Sequence, residues 1–100
     1  MKFFYVTLNT NEEAKKISFE LLEKRHAICT NWFPINCAYA WEGKIMEEDE
    51  YVLIIKTIDG KRKDIEKVIS ENINYLNCIA ELSVNSINEK YGNWLTSALK

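Results

Sequence analysis

Three cysteines and one histidine are the side chains of this sequence best suited to metal binding or nucleophilic chemistry. They are Cys29, Cys37, Cys78 and His26. Copper prefers thiolate and imidazole ligands, and a thiol is activated as a nucleophile when a base lies beside it. His26 and Cys29 are three residues apart and would share a helix face if a helix continued through both. The sequence has no Cys-x-x-Cys pair, so the spacing favours free, packed thiols over a structural metal site.

Acidic side chains form the second chemically interesting group, at Glu42 and at positions 47–50. Acid–base catalysis by two carboxylates requires two different environments that shift their pKa values apart. We predict that residues 42–49 form a solvated turn, which cannot supply such environments and where acidic side chains oppose pairing between sheet edges. With only three glycines, the chain also has no glycine-rich phosphate loop. We therefore predict that the protein is not an enzyme.

A strand and an amphipathic helix open the chain. Residues 3–8 are rich in aromatic and β-branched side chains, which favour a strand. Thr10 and Glu13 have the spacing of a capping box, which predicts the start of a helix. Apolar residues at helical spacing follow, and they predict a helix that ends at about Arg25 or His26.

Two further strands come next, and a proline interrupts the first of them. Residues 30–41 predict a long strand in which Pro34 lies at a sheet edge or a bulge, because proline has no N–H to donate. Residues 50–57 predict another strand, whose apolar run at 51–55 indicates burial on both faces. Trp41 is expected to anchor packing at the end of its strand. Period-two alternation places one set of side chains on the same face as Trp41: Ile35, Cys37 and Tyr39.

The C-terminal part predicts a helix, a strand and a last helix. The second helix follows the Asp59-Gly60 break. Its apolar residues at helical spacing are Ile65, Val68, Ile69 and Ile73. Residues 78–84 predict a short strand, and Ser86 and Glu89 have capping-box spacing before the last helix. The order β-α-β-β-α-β with a terminal helix predicts an α+β, ferredoxin-like split βαβ fold, in which an antiparallel sheet packs against two helices.

Length and composition indicate one domain that spans residues 1–100. Three Trp, five Tyr and four Phe give a short chain a large apolar surface, which predicts that part of it lies in a subunit interface. A net charge of −2 without a basic patch argues against nucleic-acid binding. The sequence shows no membrane span and no signal peptide, and together with free cysteines this predicts a cytoplasmic protein.

A hairpin and two shorter segments carry a family resemblance. The hairpin contains Tyr39-Ala40-Trp41-Glu42-Gly43-Lys44, then Glu50, then an apolar strand that ends in Lys56-Thr57. The shorter segments are Ala27-Ile28-Cys29 and Tyr91-Gly92-Asn93-Trp94-Leu95. Together they resemble the CutA family of divalent-ion tolerance proteins over nearly the whole chain. The resemblance implies a ferredoxin-like fold, a homotrimer, and a non-enzymatic role in tolerance of, or response to, divalent metal ions, with copper as the candidate bound ion.

The resemblance also implies a binding site in a cleft between subunits. Its candidate residues, at positions that match the family, are Cys29, Trp41, Glu50, Lys56 and Tyr75. Cys29 is the one family-typical cysteine and the candidate metal ligand. A second interpretation of Glu50 and Lys56 stays open, in which they form an ion pair that fixes the trimer.

Around Tyr75 the chain departs from the family. CutA proteins usually carry His-Pro-Tyr and then Pro-Glu, whereas this chain has Ile73-Asn74-Tyr75, with Cys78 at the position of the glutamate. Loss of the family's histidine argues for weak metal binding. Two alternative functions therefore stay open. One is a trimeric small-molecule sensor, similar to signalling trimers of the nitrogen-regulatory type, and the other is a scaffold that acts through an unidentified protein partner.

Overall fold

Residues 1–99, the part of the chain that the computed structural model describes, form four strands and three helices. Their order confirms the predicted β-α-β-β-α-β pattern with a terminal helix. The elements are β1 (Lys2–Leu8), α1 (Asn11–Glu23), β2 (Cys29–Trp41), β3 (Lys44–Thr57), α2 (Arg62–Asn72), β4 (Ile79–Ser83) and α3 (Glu89–Leu99).

The strands form one antiparallel sheet in the order β2-β3-β1-β4. β2 is an edge strand, so Pro34 lies at a sheet edge as predicted. The pairing of β1 with β3 ends at Leu8 opposite Tyr51. Beyond that point, residues 35–50 of β2 and β3 pair only with each other and extend from the sheet as a two-stranded ribbon. We call this ribbon the hairpin arm.

Helices α1 and α2 cover one face of the sheet, and the core lies beneath them. Apolar residues at helical spacing on α1 and α2 meet alternate residues of β1 and β3 there, as both periodicities predict. The fully buried members include Phe4, Val6, Ile17, Leu53 and Ile65. Complete burial of such side chains contributes about 1.5–3 kcal/mol each. The core therefore fixes the central strands, from which the hairpin arm projects.

The opposite sheet face, which we call the open face, is covered only in part. Its β1 residues, Phe3 and Tyr5, alternate with the core residues, and α3 lies over the Phe3 end, where Tyr91 contacts Lys56. Phe33 and Leu82 also belong to this face by register and are 45% and 48% exposed. The predicted burial of residues 51–55 on both faces holds for Val52, Leu53 and Ile55, whereas Tyr51 and Ile54 are half-buried.

The predicted turn at residues 42–49 is wrong. β2 and β3 stay in one unbroken register as far as Trp41 opposite Lys44, and only Glu42 and Gly43 form the turn. Both residues have positive φ, 48° and 78°, which is the backbone of a type I′ turn. The acidic residues at 47–50 therefore belong to β3 and point alternately to its two faces.

Two helix boundaries also differ from expectation. The predicted capping box of α1 is present, because Glu13 N–H donates to Thr10 Oγ1 while Glu13 Oε1 accepts from Thr10 N–H. The helix ends at Glu23, since Arg25 adopts a left-handed backbone and His26 N–H bonds to the Leu21 carbonyl. The capping box predicted for α3 does not form, because that helix begins at Glu89 itself.

Trp41 is 52% exposed, so it does not anchor the packing within one chain, and its role as an anchor stays a prediction for the assembled protein. Within one chain, Trp32 is the tryptophan of β2 that packs against the core. It lies on the core side of β2, packs against the core, and donates from Nε1 to Asn11 Oδ1 at 2.8 Å. Among the helices of residues 1–99, none has the length and apolar character needed to cross a membrane.

Candidate functional site

An open groove of about 870 Å³ lies between the hairpin arm and the chain that leads into β4. Alternation along the arm presents one row of side chains to the groove from β2 and one from β3. The arm side of the groove is formed by Cys37, Tyr39, Ala40, Trp41, Glu48 and Glu50. The other side is formed by Thr7, Asn9, Tyr75, Leu76, Asn77 and Cys78. We call this cavity the arm groove.

Hydrogen bonds order the arm side of the groove. The Tyr39 hydroxyl donates to Glu48 Oε1 at 2.8 Å, and this bond raises the pKa of the Tyr39 phenol. Burial raises the pKa of the neighbouring Cys37 thiol, and the Glu50 and Glu48 carboxylates raise it further. Cys37 is consequently held as a neutral thiol, which is a poor metal ligand and a poor nucleophile.

Tyr75 ties the opposite side of the groove to the start of α1. Its hydroxyl donates to Glu13 Oε1 at 2.7 Å and accepts from the Asn9 backbone N–H at 2.9 Å. Burial, then the bond to Glu13, raises the pKa of the Tyr75 phenol above its usual range. The loop after Tyr75 is held as well, because Asn77 Nδ2 donates to the Thr7 carbonyl. Tyr75 therefore lines the arm groove and also holds the chain before β4 against the start of α1.

Replacement of Tyr75 by Phe is expected to lower the free energy of unfolding by about 1–3 kcal/mol, because it removes a partly buried hydrogen bond to the Glu13 carboxylate. Urea denaturation followed by circular dichroism measures this loss. Tyr51→Phe is the matched control, since the Tyr51 hydroxyl makes no hydrogen bond within residues 1–99. An equal cost for the two substitutions would contradict the structural role of the Tyr75 hydroxyl.

Cys29 and Lys56 lie outside the arm groove. They pair with each other across β2 and β3 at the far end of the sheet, where the Lys56 ammonium lies 5.6 Å from the Phe3 ring centroid and 5.3 Å from that of Tyr91. Burial, together with the adjacent Cys29 thiol, raises the pKa of Tyr91 to about 12. Of the five residues expected in one cleft, each chain brings together Trp41, Glu50 and Tyr75 and leaves Cys29 and Lys56 apart.

An ion pair between Glu50 and Lys56 cannot form within one chain. The two residues lie six positions apart on β3, which corresponds to about 20 Å at strand spacing. Such a pair would have to join two subunits.

The surroundings of Cys29 do not suit a metal ion. A metal cation at Cys29 would meet the positive charge of Lys56, its cross-strand neighbour. Within residues 1–99, no three His, Cys, Asp or Glu side chains are grouped closely enough to hold a metal ion. His26 does not assist Cys29 either, because its Nδ1 lies 3.9 Å from Asp64 on α2 whereas Cys29 contacts Tyr91 on α3.

Several groove residues were not predicted from the sequence as site residues. Tyr39 was placed on the same face as Trp41, and that alternation was the signal that could have identified it. Glu48 was assigned to a turn and therefore missed. Leu76 and Asn77 have no sequence signal of their own, because their approach to the arm depends on tertiary packing.

Comparison with known proteins identifies relatives along almost the whole chain. The family model of the CutA1 divalent ion tolerance protein matches residues 2–98. The divalent-cation tolerance protein CutA of Archaeoglobus fulgidus is 31% identical over 99 residues, which cover 98% of this chain and 97% of that protein. The protein of the same name from Thermotoga maritima is 33% identical over 100 residues, covering 99% of each.

Solved structures show the same architecture. The periplasmic divalent cation tolerance protein CutA from Archaeoglobus fulgidus matches with a TM-score of 0.93 at 31% identity, over the full length of both chains. CutA1 from Pyrococcus horikoshii matches with a TM-score of 0.89 at 33% identity, over 100% of this chain and 99% of that one. The family match and the shared fold lead to one conclusion: the chain belongs to the CutA1 divalent ion tolerance protein family.

Proposed function

We propose that this protein is a homotrimer that contributes to the tolerance of divalent metal ions, and that it does so without catalysing a reaction. The observation that carries the proposal is the full-length match to CutA proteins in sequence and in fold. Deletion of its gene is expected to sensitise cells to copper or zinc salts, and an intact copy should restore growth. Equal growth of the two strains over a metal concentration series would contradict this function.

The open face supports assembly into a trimer. Phe33 and Leu82 expose large apolar side chains on the open face. On the other face, α1 and α2 bury the core. Exposed apolar patches of this kind mark interaction surfaces. The outer edges of β2 and β4 are also unpaired within residues 1–99, and an unpaired edge readily pairs with a second copy. A second and a third copy of the same chain would cover the open face and pair with the unpaired strand edges.

Assembly would also bring together the residues of the predicted cleft. Cys29 and Lys56 lie at one end of the sheet and Trp41, Glu50 and Tyr75 at the other, so contact between the two groups requires two subunits. We propose that the hairpin arm of one subunit reaches the Lys56 end of its neighbour. In that arrangement Glu50 and Lys56 either line a shared cleft or form an ion pair between subunits.

Direct metal binding is expected to be weak. Calorimetric titration of the reduced protein with copper and zinc is expected to give no tight stoichiometric binding, because Cys29 lies beside Lys56 and Cys37 is held as a neutral thiol. Cys29→Ser and Cys78→Ser test separately the two cysteines other than Cys37. Tight binding that disappears in Cys29→Ser would show that the trimer completes a metal site around that residue, and would contradict the expectation.

The second candidate function is a small-molecule sensor, which acts through a protein partner. The volume of the arm groove favours it, since about 870 Å³ lies within the range of ligand pockets. A sensor is expected to be stabilised by its metabolite, by about 2.7 kcal/mol at one hundred times the dissociation constant. A tolerance protein without such a ligand would show no shift in a thermal screen of metabolites.

We propose a cytoplasmic location. All three cysteines are free, and a reducing compartment keeps thiols in that state. The relative from Archaeoglobus fulgidus is described as periplasmic. Fractionation of cells followed by detection of the chain distinguishes the two compartments, and recovery in a periplasmic fraction would contradict the proposal.

A further inference from the structure

We propose that Glu50 of each subunit forms an ion pair with Lys56 of the next subunit, and that three such pairs fix how the subunits are arranged around the trimer. These pairs presuppose the trimer proposed above. They exclude the alternative in which Glu50 and Lys56 stay unpaired and line a cleft that is free for a ligand.

Charged side chains are scarce on the open face of the sheet. By register, β1, β2 and β4 place no lysine, arginine, aspartate or glutamate there, and β3 places four. From the tip of the hairpin arm inwards, they are Lys44, Glu48, Glu50 and Lys56. Glu48 already accepts a hydrogen bond from the Tyr39 hydroxyl. Lys56 is therefore the one cation that the described strands place on this face outside the arm.

Neither Glu50 nor Lys56 has a partner of opposite charge in its own chain. Within residues 1–99, no ion pair includes the Glu50 carboxylate or the Lys56 ammonium. Both side chains are already half-buried in the single chain, whereas the three acidic residues before Glu50 are exposed. A subunit that covers the open face removes more water from both charges, and a buried charge without a partner is strongly destabilising. Assembly is therefore most favourable when it brings the two charges together.

The surroundings of each charge hold it in place before the subunits meet. The rings of Phe3 and Tyr91 lie 5.6 Å and 5.3 Å from the Lys56 ammonium, measured to their centroids, and attract it by cation–π interactions. The neutral thiol of Cys37 lies against the Glu50 carboxylate. Groups that are ordered in advance lose less side-chain entropy when they pair.

The separation of the two charges makes the contact between subunits head-to-tail. Glu50 and Lys56 lie about 20 Å apart along one strand, so each subunit offers its carboxylate to one neighbour and its ammonium to the other. Contacts of this kind close into a ring when the rotation between subunits permits it, and a ring of three contains three equivalent pairs. In the rival arrangement the three arms converge, Glu50 meets Lys44 of another arm, and Lys56 stays unpaired.

Charge reversal tests the pair, with light scattering at micromolar concentration as the measurement. Glu50→Lys and Lys56→Glu are each expected to shift the mass from three chains to one, because like charges then meet at every contact. The dissociation concentration should rise at least about a hundredfold in each. The double variant, Glu50→Lys with Lys56→Glu, restores opposite charges and should return this concentration to within about tenfold of the wild type.

Lys44→Glu is the matched control, because it is the same substitution on the same face of the same strand. It is expected to keep the trimer and to give no rescue when combined with Glu50→Lys. Rescue by Lys44→Glu instead of Lys56→Glu would overturn the pair in favour of converging arms. A trimer that survives both single reversals would overturn it in favour of an open cleft. A wild-type monomer would instead refute the trimer itself.

Glu50→Gln removes the charge without reversing it, and it replaces Glu50→Lys if circular dichroism shows that the reversal unfolds the chain. It is expected to raise the dissociation concentration about tenfold, because Lys56 is then covered without a partner. An unchanged dissociation concentration in Glu50→Gln would contradict the pair, since a residue that only lines a cleft contributes nothing to assembly.

Discussion

Phe33→Asp is expected to convert the assembly from three chains into single chains of 11.7 kDa. Phe33 lies on the open face of the edge strand β2, is 45% exposed, and pairs across the sheet with the buried Val52. A carboxylate introduced there would be buried in each interface of a symmetric trimer without a partner. An unpaired buried charge costs several kcal/mol, which exceeds what a small interface can offset. Multi-angle light scattering at micromolar concentration measures the mass.

Phe19→Asp provides the matched control. Phe19 is 53% exposed, but it lies on α1, away from the open face. The same substitution at similar exposure is expected to leave the mass at three chains. A trimer that survives Phe33→Asp and dissociates with Phe19→Asp would place the interface on the helices instead. A wild-type protein that is already monomeric would refute the trimer itself.

Trp32→Ala is expected to lower the free energy of unfolding by about 2–3 kcal/mol, less than for a fully buried tryptophan, because the side chain is partly buried. The indole packs against the core cluster beneath α1, and its N–H donates to the Asn11 side chain at the first turn of that helix. The substitution removes both the packing and the hydrogen bond. Chemical denaturation at one fixed protein concentration measures the loss, because assembly makes apparent stability depend on concentration.

Trp41→Ala is the control for the same residue type on the same strand. Within one chain Trp41 is half exposed on the opposite face and makes no contact with the core cluster, so Trp41→Ala is expected to cost less than Trp32→Ala. A cost for Trp41→Ala equal to that of Trp32→Ala would show that Trp41 is covered in the assembly, and that the arm groove is not open there.

The order of the strands and helices was predictable because apolar residues recur at different spacings in the two kinds of element. The length of the hairpin arm was not predictable. Residues 44–49 are mostly polar and exposed, and their strand conformation depends on pairing with β2 rather than on their own propensity. The type I′ turn was also hidden, because Glu42 occupies a position where Asn, Asp or Gly is usual. The end of α1 was misplaced for the same reason, since Arg25 rather than glycine adopts the left-handed conformation.

The candidate site was predictable in part. Alternation along β2 placed Cys37, Tyr39 and Trp41 on one face, and the register agrees. The alternation of side chains along a strand does not indicate which sheet face is covered by other elements. It therefore gave no sign that Trp41 is exposed within one chain. The approach of Tyr75 to the arm depends on contacts distant in sequence, including the bond from its hydroxyl to Glu13. Such contacts leave no periodic signal in the sequence.

The unbroken register of the hairpin arm restricts how its length can change. Removing one residue from each strand would keep the pairing but turn Tyr39 and Trp41 to the other face, because side chains alternate at every step. Removing two residues from each strand would preserve the facing and shorten the arm by about 7 Å. Arms of different reach can therefore present the same groove only in steps of two residues per strand.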